Sequence, residues 1–399
     1  MVPGATQLGK PAVPQAILPY THRALSRYNG AAMTQTQPRL TETDVGAPPV
    51  RVMQVMAGAP HGGAETQYVN LVLALNRAGL DQRAVIRRNS LRAAALRSGG
   101  VEPLELSFGR WTDFATVPAL KREIAAYRPG IVLTWMNRAS KMVPAGNFLR
   151  LGRLGGYYDL KYYRRCDHLI CNTQDIVEHV VRAGWPRART HVMLNFAPVR
   201  DMPAVSRAAL NTPEDAKVIV ALGRLHKAKA FDTLLQALAV ERRPYLWLAG
   251  EGPLRRELES LAGTLGLADR VRFLGWRDDR EALLAAADMC IVPSRFEPFG
   301  SVVMEAWAHR LPLVATASAG PAAVVRDGGD GLLVPIDDVA AMAASLTRII
   351  DEPGLGPHLV EAGWRRYQAE FTESAAVDRW LGLFRQLLAT HAGEHAAAG

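Results

Sequence analysis

The stretch from Met289 to His309 constrains the fold more tightly than any other part of the chain. Its first part, Met289 to Pro293 with Cys290, Ile291 and Val292 at the centre, has the composition of a parallel strand buried on both faces. Pro298 and Gly300 break the strand, Ser301 is a good helix N-cap, and from Val302 the apolar residues recur at helical spacing. Strand, tight loop and helix in that order belong to an open α/β sheet, whose ligands sit at the carboxyl ends of the strands. Backbone N–H groups around Gly300, Ser301, Val302 and Val303 then point out of the helix start and favour an anion such as a phosphate. Two carboxylates flank that position: Glu297 in the loop and Glu305 one turn into the helix, with seven residues between them. A carboxylate accepts from two hydroxyls at once, so the pair suits a polyhydroxylated ligand joined to a phosphate, and a nucleotide-sugar fits. On spacing alone, an ordinary βα turn with a glutamate placed for the helix dipole explains these residues equally well.

The full string adds information that spacing does not. Pro293-Ser294, Glu297-Pro298-Phe299-Gly300, Glu305-Ala306 and then Leu311-Pro312-Leu313-Val314-Ala315-Thr316 together resemble the sugar-donor signature of the retaining glycosyltransferases of family 4. These are enzymes of the glycogen synthase and lipopolysaccharide glycosyltransferase kind. The resemblance implies an α/β protein of the GT-B fold, with two doubly wound, Rossmann-like domains facing a cleft. It covers roughly Val50 to Leu388, densely in the second half and more loosely in the first.

With 399 residues and ordinary apolar and charged fractions, the chain has room for two domains with cores of their own. It contains no run of about 18 apolar residues that would mark a transmembrane helix. A net charge of +9 and a pI near 9.7 favour acidic ligands or surfaces (nucleic acid, nucleotide or anionic lipid) without choosing among them. Cys166, Cys171 and Cys290 lie in apolar surroundings in no metal-ligand pattern, which reads as buried, reduced thiols in a cytoplasmic protein. Residues 1–49 are rich in Pro, Thr, Gln and Ala without periodicity and read as a disordered extension, with Met33 an alternative start to Met1.

In the first half, Arg51 to Met56 reads as a buried strand running into the glycine-rich loop Ala57 to Glu65 and a helix through Tyr68, Leu71, Val72 and Leu75. Two readings of the loop compete. A dinucleotide site would need Gly-x-Gly-x-x-Gly and an acidic residue after the second strand; instead that strand, Ala84 to Ile86, ends in Arg87-Arg88, which leaves a weak case for NADP. The resemblance instead matches Gly62, Gly63 and Glu65 to a Gly-Gly-x-Glu loop near the donor phosphates and the acceptor. A third strand, Ile131 to Trp135, leads into Asn137 and Arg138. Residues 141–165 then mix Lys141, Arg150, Arg153, Lys161, Arg164 and Arg165 with apolar and tyrosine side chains. One reading is a peripheral contact with an anionic membrane surface or a polyanionic acceptor, and the other is a core helix with a solvated basic face and a tyrosine-rich packing segment. Where many family members carry a histidine near the anomeric carbon, this chain has Arg153-Leu154-Gly155-Gly156-Tyr157-Tyr158-Asp159, so Tyr157 or Asp159 is the expected acceptor contact. Further strands, His168 to Thr173 and His191 to Phe196, close this half before a proline-marked linker.

In the second half, the strand from Val218 ends in Gly223-Arg224, and Lys227 and Lys229 follow. Two cations there can neutralise a departing diphosphate. The family's Gly-Arg-Leu…Lys-Gly pattern maps onto Arg224 and Lys229, with Ala230 where glycine is usual. The strand Tyr245 to Ala249 precedes Gly250-Glu251-Gly252-Pro253, which resembles the family's turn beside the nucleotide base, and Val271 to Trp276 resembles its Val-x-Phe-Leu-Gly. Ala323 stands where a glutamate is usual. Asp278-Asp279 reads as a solvated acidic turn rather than a metal pair. Pro357 suits a first helical position, and Trp380, Leu383 and Leu387 give the last helix an apolar face for packing back on the first domain, as is common in GT-B proteins.

The assembled expectation is a retaining hexosyltransferase with three parts: an extension (1–49), an acceptor-side domain (50–198 plus 373–391) and a nucleotide-sugar domain (199–372). Arg224 and Lys229 hold the diphosphate with the N–H groups after Gly300, Glu297 binds the donor-sugar hydroxyls, and Glu305 binds the ribose. Gly250, Gly252, Phe299, Ser301 and Val302 complete the donor site, and Asn137, Arg138, Tyr157 and Asp159 meet the acceptor. The co-substrate is a UDP- or GDP-linked sugar with no metal, the acceptor a glycan or glycolipid, and no nucleic acid is involved. An NADP-dependent oxidoreductase and a catalytically inactive GT-B binding protein are the competing classes.

Overall fold

A computed structural model describes residues 50–397 except 60, 61, 110–112, 199 and 201; the extension 1–49 lies outside the described residues. The strands are β1 (Arg51–Met56), β2 (Asp81–Arg87), β3 (Leu104–Leu106), β4 (Ile131–Trp135), β5 (Leu149–Leu154), β6 (His168–Cys171), β7 (Thr190–Val192), β8 (Val218–Leu222), β9 (Tyr245–Ala249), β10 (Val271–Gly275), β11 (Met289–Val292), β12 (Leu313–Thr316) and β13 (Leu332–Val334). They form two parallel sheets, ordered β3-β2-β1-β4-β5-β6-β7 and β10-β9-β8-β11-β12-β13. Strands buried on both faces by crossover helices need continuous apolar runs, and β4 and β11 are buried at every residue. In each sheet the order reverses beside the first strand, between β1 and β4 and between β8 and β11. The loops leaving those strands diverge there and open a crevice for a ligand.

The first core joins Val52, Leu71, Tyr68 and Ile131 to Trp380, Phe384 and Leu387 of the terminal helix Glu373–Ala397, so the last helix packs on the first sheet. The second sheet has a core on each face: one around Leu234, Leu246 and Leu346, the other around Trp247, Trp307 and Phe371.

The structure departs from the sequence reading at several points. Within 141–165 lies β5, a wholly buried strand and not a helix, so Arg150 and Arg153 are interior. Arg153 donates to Met193 O (3.3 Å) and Asn195 Oδ1 (2.6 Å), and its guanidinium lies 5.0 and 5.1 Å from the Trp135 and Trp380 rings. Carbonyl oxygens and aromatic faces replace water around the cation, which is why a strand interior accepts it. Ser301 is the first residue of the helix Ser301–Ala308 and not its cap; Gly300, with φ 82°, holds the cap position. Pro357 is third in the helix Leu355–Arg366, and β7 ends at Val192, not Phe196. All three cysteines are free and buried, as expected.

Candidate active site

Three loops converge at the carboxyl ends of β8, β9 and β11. The first two lie backbone against backbone. Gly223 N–H donates to Ala249 O (3.0 Å) and Leu225 N–H to Glu251 O (3.0 Å), while on the other side Gly250 N–H donates to Gly275 O (2.7 Å) at the end of β10. A Cβ on Gly250 would stand 1.8 Å from Gly223 O, and one on Gly252 would stand 2.3 Å from Leu225 O. These glycines are therefore required by the contact between loops, whatever ligand the loops serve.

The loop after β11 docks onto the turn after β8. Phe296 N–H donates to Ala228 O (3.1 Å), and Arg295 reaches Lys227 O (3.0 Å) while pairing with Asp232 and Asp337, each at 2.7 Å. On the other side, Gly320 N–H donates to Glu297 O (2.7 Å). This clamping brings the Glu297 side chain to Lys229: Oε2 accepts from Nζ at 2.5 Å, and Oε1 accepts from Gly300 N–H at 3.1 Å. The pair is largely buried, with side-chain exposures of 24% for Lys229 and 14% for Glu297. Arg224 stands in the same turn, at the end of β8. Lys229 is followed by Ala230 at φ 50°, a left-handed conformation that explains why glycine is usual there.

Of the N–H groups from Gly300 to Val303 expected to face an anion, two already have acceptors. Gly300 N–H is taken by Glu297 and Val303 N–H by Gly300 O (3.0 Å), which leaves Ser301 and Val302 as the helix-start donors without an intrahelical acceptor. Phe299 is buried beneath the turn.

Glu305 lies deeper and is 4% exposed. One oxygen stands 3.4 Å from Arg280, and the other is buried without a hydrogen-bond partner. Burial pushes its carboxyl pKa up, Arg280 and then Lys229 pull it down, and Glu281 and Glu297 add to the rise. Ala323 is exposed on the helix Ala319–Val324. In the acidic turn, Asp279 is held by Arg277 (2.7 and 2.6 Å) and Asp278 accepts from the Trp276 indole (3.0 Å).

On the first sheet, Glu65 folds back over its loop. Its Oε1 accepts from Ala59 N–H at 2.7 Å while Arg92 donates to Ala59 O at 2.7 Å. Cβ atoms on Gly58 and Gly62 would lie 2.3 and 2.4 Å from the Glu65 oxygens, so these two glycines make room for the carboxylate; Gly63 is open. Asn137 and Arg138 fall in the helix Met136–Met142 just past β4; Arg138 donates to Phe108 O (2.8 Å), and Asn137 Oδ1 is buried without a partner. Tyr157 and Asp159 lie on the turn after β5, the first bonded to Asp175 and the second ion-paired with Lys161 at 2.6 Å. Sequence reasoning passed over Gly58 and Arg295 in loops and Arg92 and Arg280 at helix starts, where only the fold reveals the partner.

Comparison with known proteins agrees with this architecture. Residues 216–352 match the family model for glycosyl transferases group 1, and residues 61–199 match that for glycosyltransferase family 4. The chain is 37% identical to the lipopolysaccharide core biosynthesis glycosyltransferase LpsD of Rhizobium meliloti (strain 1021) over 343 residues, 84% of this chain and 98% of that protein. It is 38% identical to LpsE of the same organism over 332 residues, 81% and 95% of the two chains. Among solved structures, Anabaena Alr3699/HepE in complex with UDP superposes with a TM-score of 0.73 at 18% identity, over 84% of this chain and 99% of that one. The chain thus belongs to the group 1, family 4 glycosyltransferases and is an enzyme of the GT-B fold, which sets aside both the NADP-dependent oxidoreductase read from Arg87-Arg88 and an inactive binding protein.

Proposed function

We propose that this enzyme moves a hexose, with retention of anomeric configuration, from a UDP- or GDP-linked sugar to a saccharide or lipid-linked glycan of the lipopolysaccharide core. The observation that carries this reading is the Glu297 carboxylate held between Lys229 Nζ (2.5 Å) and Gly300 N–H (3.1 Å) at the mouth of β8 and β11. The names of the two Rhizobium relatives, which this chain matches over nearly their full length, support the acceptor class.

In this reading the diphosphate takes the Lys229 ammonium, with Arg224 and the N–H groups of Ser301 and Val302 completing its cradle. Glu297, relieved of one partner, accepts from hydroxyls of the donor sugar, and Glu305 accepts from the ribose. The bond from the anomeric carbon to the phosphate oxygen breaks with oxocarbenium character. The acceptor oxygen then adds to the same face, and the leaving phosphate takes its proton. Cations fixed where charge develops stabilise the departing diphosphate.

The acceptor-side unit is residues 50–198 with 373–391, and the donor unit is 199–372. Asn137, Arg138 and the turn bearing Tyr157 and Asp159 face the acceptor. Exposed Lys161, Arg164 and Arg165 on that turn supply a peripheral contact with anionic lipid.

The test supplies UDP- and GDP-hexoses with truncated lipopolysaccharide cores and reads the new linkage by NMR. An α-linked product from an α-linked donor is expected. A β-linked product would refute the retaining mechanism, and transfer only to acceptors unrelated to the core would refute the acceptor class.

A further inference from the structure

Glu305 presents a problem that its own environment only partly solves. The carboxylate is 4% exposed, and its Oε2 has no hydrogen-bond partner. A buried carboxylate oxygen left unpaired is costly, and a carboxyl group so placed tends to take up a proton. A protonated acid accepts more weakly than a carboxylate, because its hydrogen bonds from hydroxyls are no longer charge-assisted. The cation within ion-pairing distance is Arg280, the first residue of the helix Arg280–Ala286, whose guanidinium stands 3.4 Å from Glu305 Oε1. The next residue, Glu281, is paired with Arg200 at 3.2 Å. Arg280 itself is 43% exposed, so it reaches inward from the rim and keeps its own hydration.

We propose that Arg280 is a positioning residue for donor binding: it keeps Glu305 ionised and engaged through Oε1, leaving Oε2 to receive the ribose hydroxyls of the bound nucleotide. The proposal rests on the assignment of Glu305 to the ribose. The charged and titratable groups that act on Glu305 are Arg280 and Glu281 from that helix, Glu297 and Lys229 from the two loops, and Cys290 from β11 behind it. Burial raises the Glu305 pKa and Arg280 lowers it, so removing Arg280 raises it further. Ribose binding then fails at a higher pH than in the wild type and returns as the pH is raised.

The experiment measures dissociation constants of UDP, GDP and their 2′-deoxy counterparts for wild type, Arg280→Met and Arg280→Lys, at pH 6, 7.5 and 9. Thermal unfolding of each variant confirms that it is folded. A charge-assisted hydrogen bond to a hydroxyl should make the wild type prefer the ribonucleotide by about tenfold at pH 7.5. Arg280→Met should lower that preference severalfold, with the largest loss at pH 6 and the smallest at pH 9, and Arg280→Lys should fall in between. A merely structural role would weaken ribo- and deoxyribonucleotides alike and would not be reversed by pH. An unchanged preference in Arg280→Met at every pH overturns the proposal. If the wild type binds nucleotides but shows no ribose preference, the assignment of Glu305 to the ribose fails and the proposal with it. If the wild type binds neither nucleotide, the donor-site reading itself is wrong.

Discussion

Replacing Lys229 by alanine separates a residue that braces the loop from one that acts on the leaving diphosphate. Lys229 Nζ is one of two groups bonded to the Glu297 carboxylate, the other being Gly300 N–H. Breaking a fully buried ion pair by removing one partner costs about 3–5 kcal/mol. Here the side chains are 24% and 14% exposed and Gly300 remains, so about 2 kcal/mol is the better figure. Spread over a unit of this size, that lowers Tm by roughly 4–8 °C. The catalytic loss should be larger. Withdrawing a fixed charge from a developing anion typically lowers the rate by about 10²–10³, or roughly 2.7–4 kcal/mol, and this appears only in turnover. Steady-state kinetics at 25 °C, where the variant is still folded, should therefore show kcat/KM down by about two to three orders of magnitude beside a modest Tm shift. A Tm drop of several degrees with kcat/KM within threefold of wild type would refute the reasoning and reduce Lys229 to a loop brace.

Two further perturbations test the packing. Gly250→Ala would place a methyl 1.8 Å from Gly223 O, a backbone atom that cannot swing aside, and should cost about 3 kcal/mol in urea unfolding; a loss under about 0.5 kcal/mol would mean the loops are not in contact. His191, whose ring lies 3.0 Å from His168, has its pKa pushed down to about 4 by burial and then by that neighbour. The unfolded chain takes up this proton near 6.5, so stability should be fully present above that pH and fall as pH drops from about 6.5 toward 4. His191→Gln should flatten that part of the pH–stability curve, and an unchanged slope would assign the loss to other groups.

Much of the fold was legible because parallel strands leave a strong mark. β8, β9 and β11 are short apolar runs bounded by glycine or proline, and their positions were readable to within a residue or two. β5 was not, because Arg150 and Arg153 interrupt its apolar run. Only the tertiary structure supplies the carbonyls and the Trp135 and Trp380 faces that make Arg153 tolerable inside. At the site, Glu297, Lys229 and Glu305 were identifiable as a motif, but their contacts were not. The motif does not show that Glu297 spends one oxygen on Gly300 N–H, nor that Glu65 spends one on Ala59 N–H. Arg280, at a helix start, and Arg295, in a loop, were equally invisible, since an arginine at either place reads as solvated until the fold brings a carboxylate to it. Tyr157 and Asp159 show the converse: side chains suited to an acceptor that are engaged with Asp175 and Lys161.

The most direct test of the central claim is release of nucleoside diphosphate from a panel of UDP- and GDP-hexoses, with core-type acceptor present, for wild type and Glu297→Gln. The substitution keeps the side chain's shape and removes its charge. The account predicts turnover of one nucleotide class by the wild type and a loss of about a hundredfold or more in the variant. Turnover that survives Glu297→Gln unchanged, or no turnover of any nucleotide-sugar by the wild type, would contradict it.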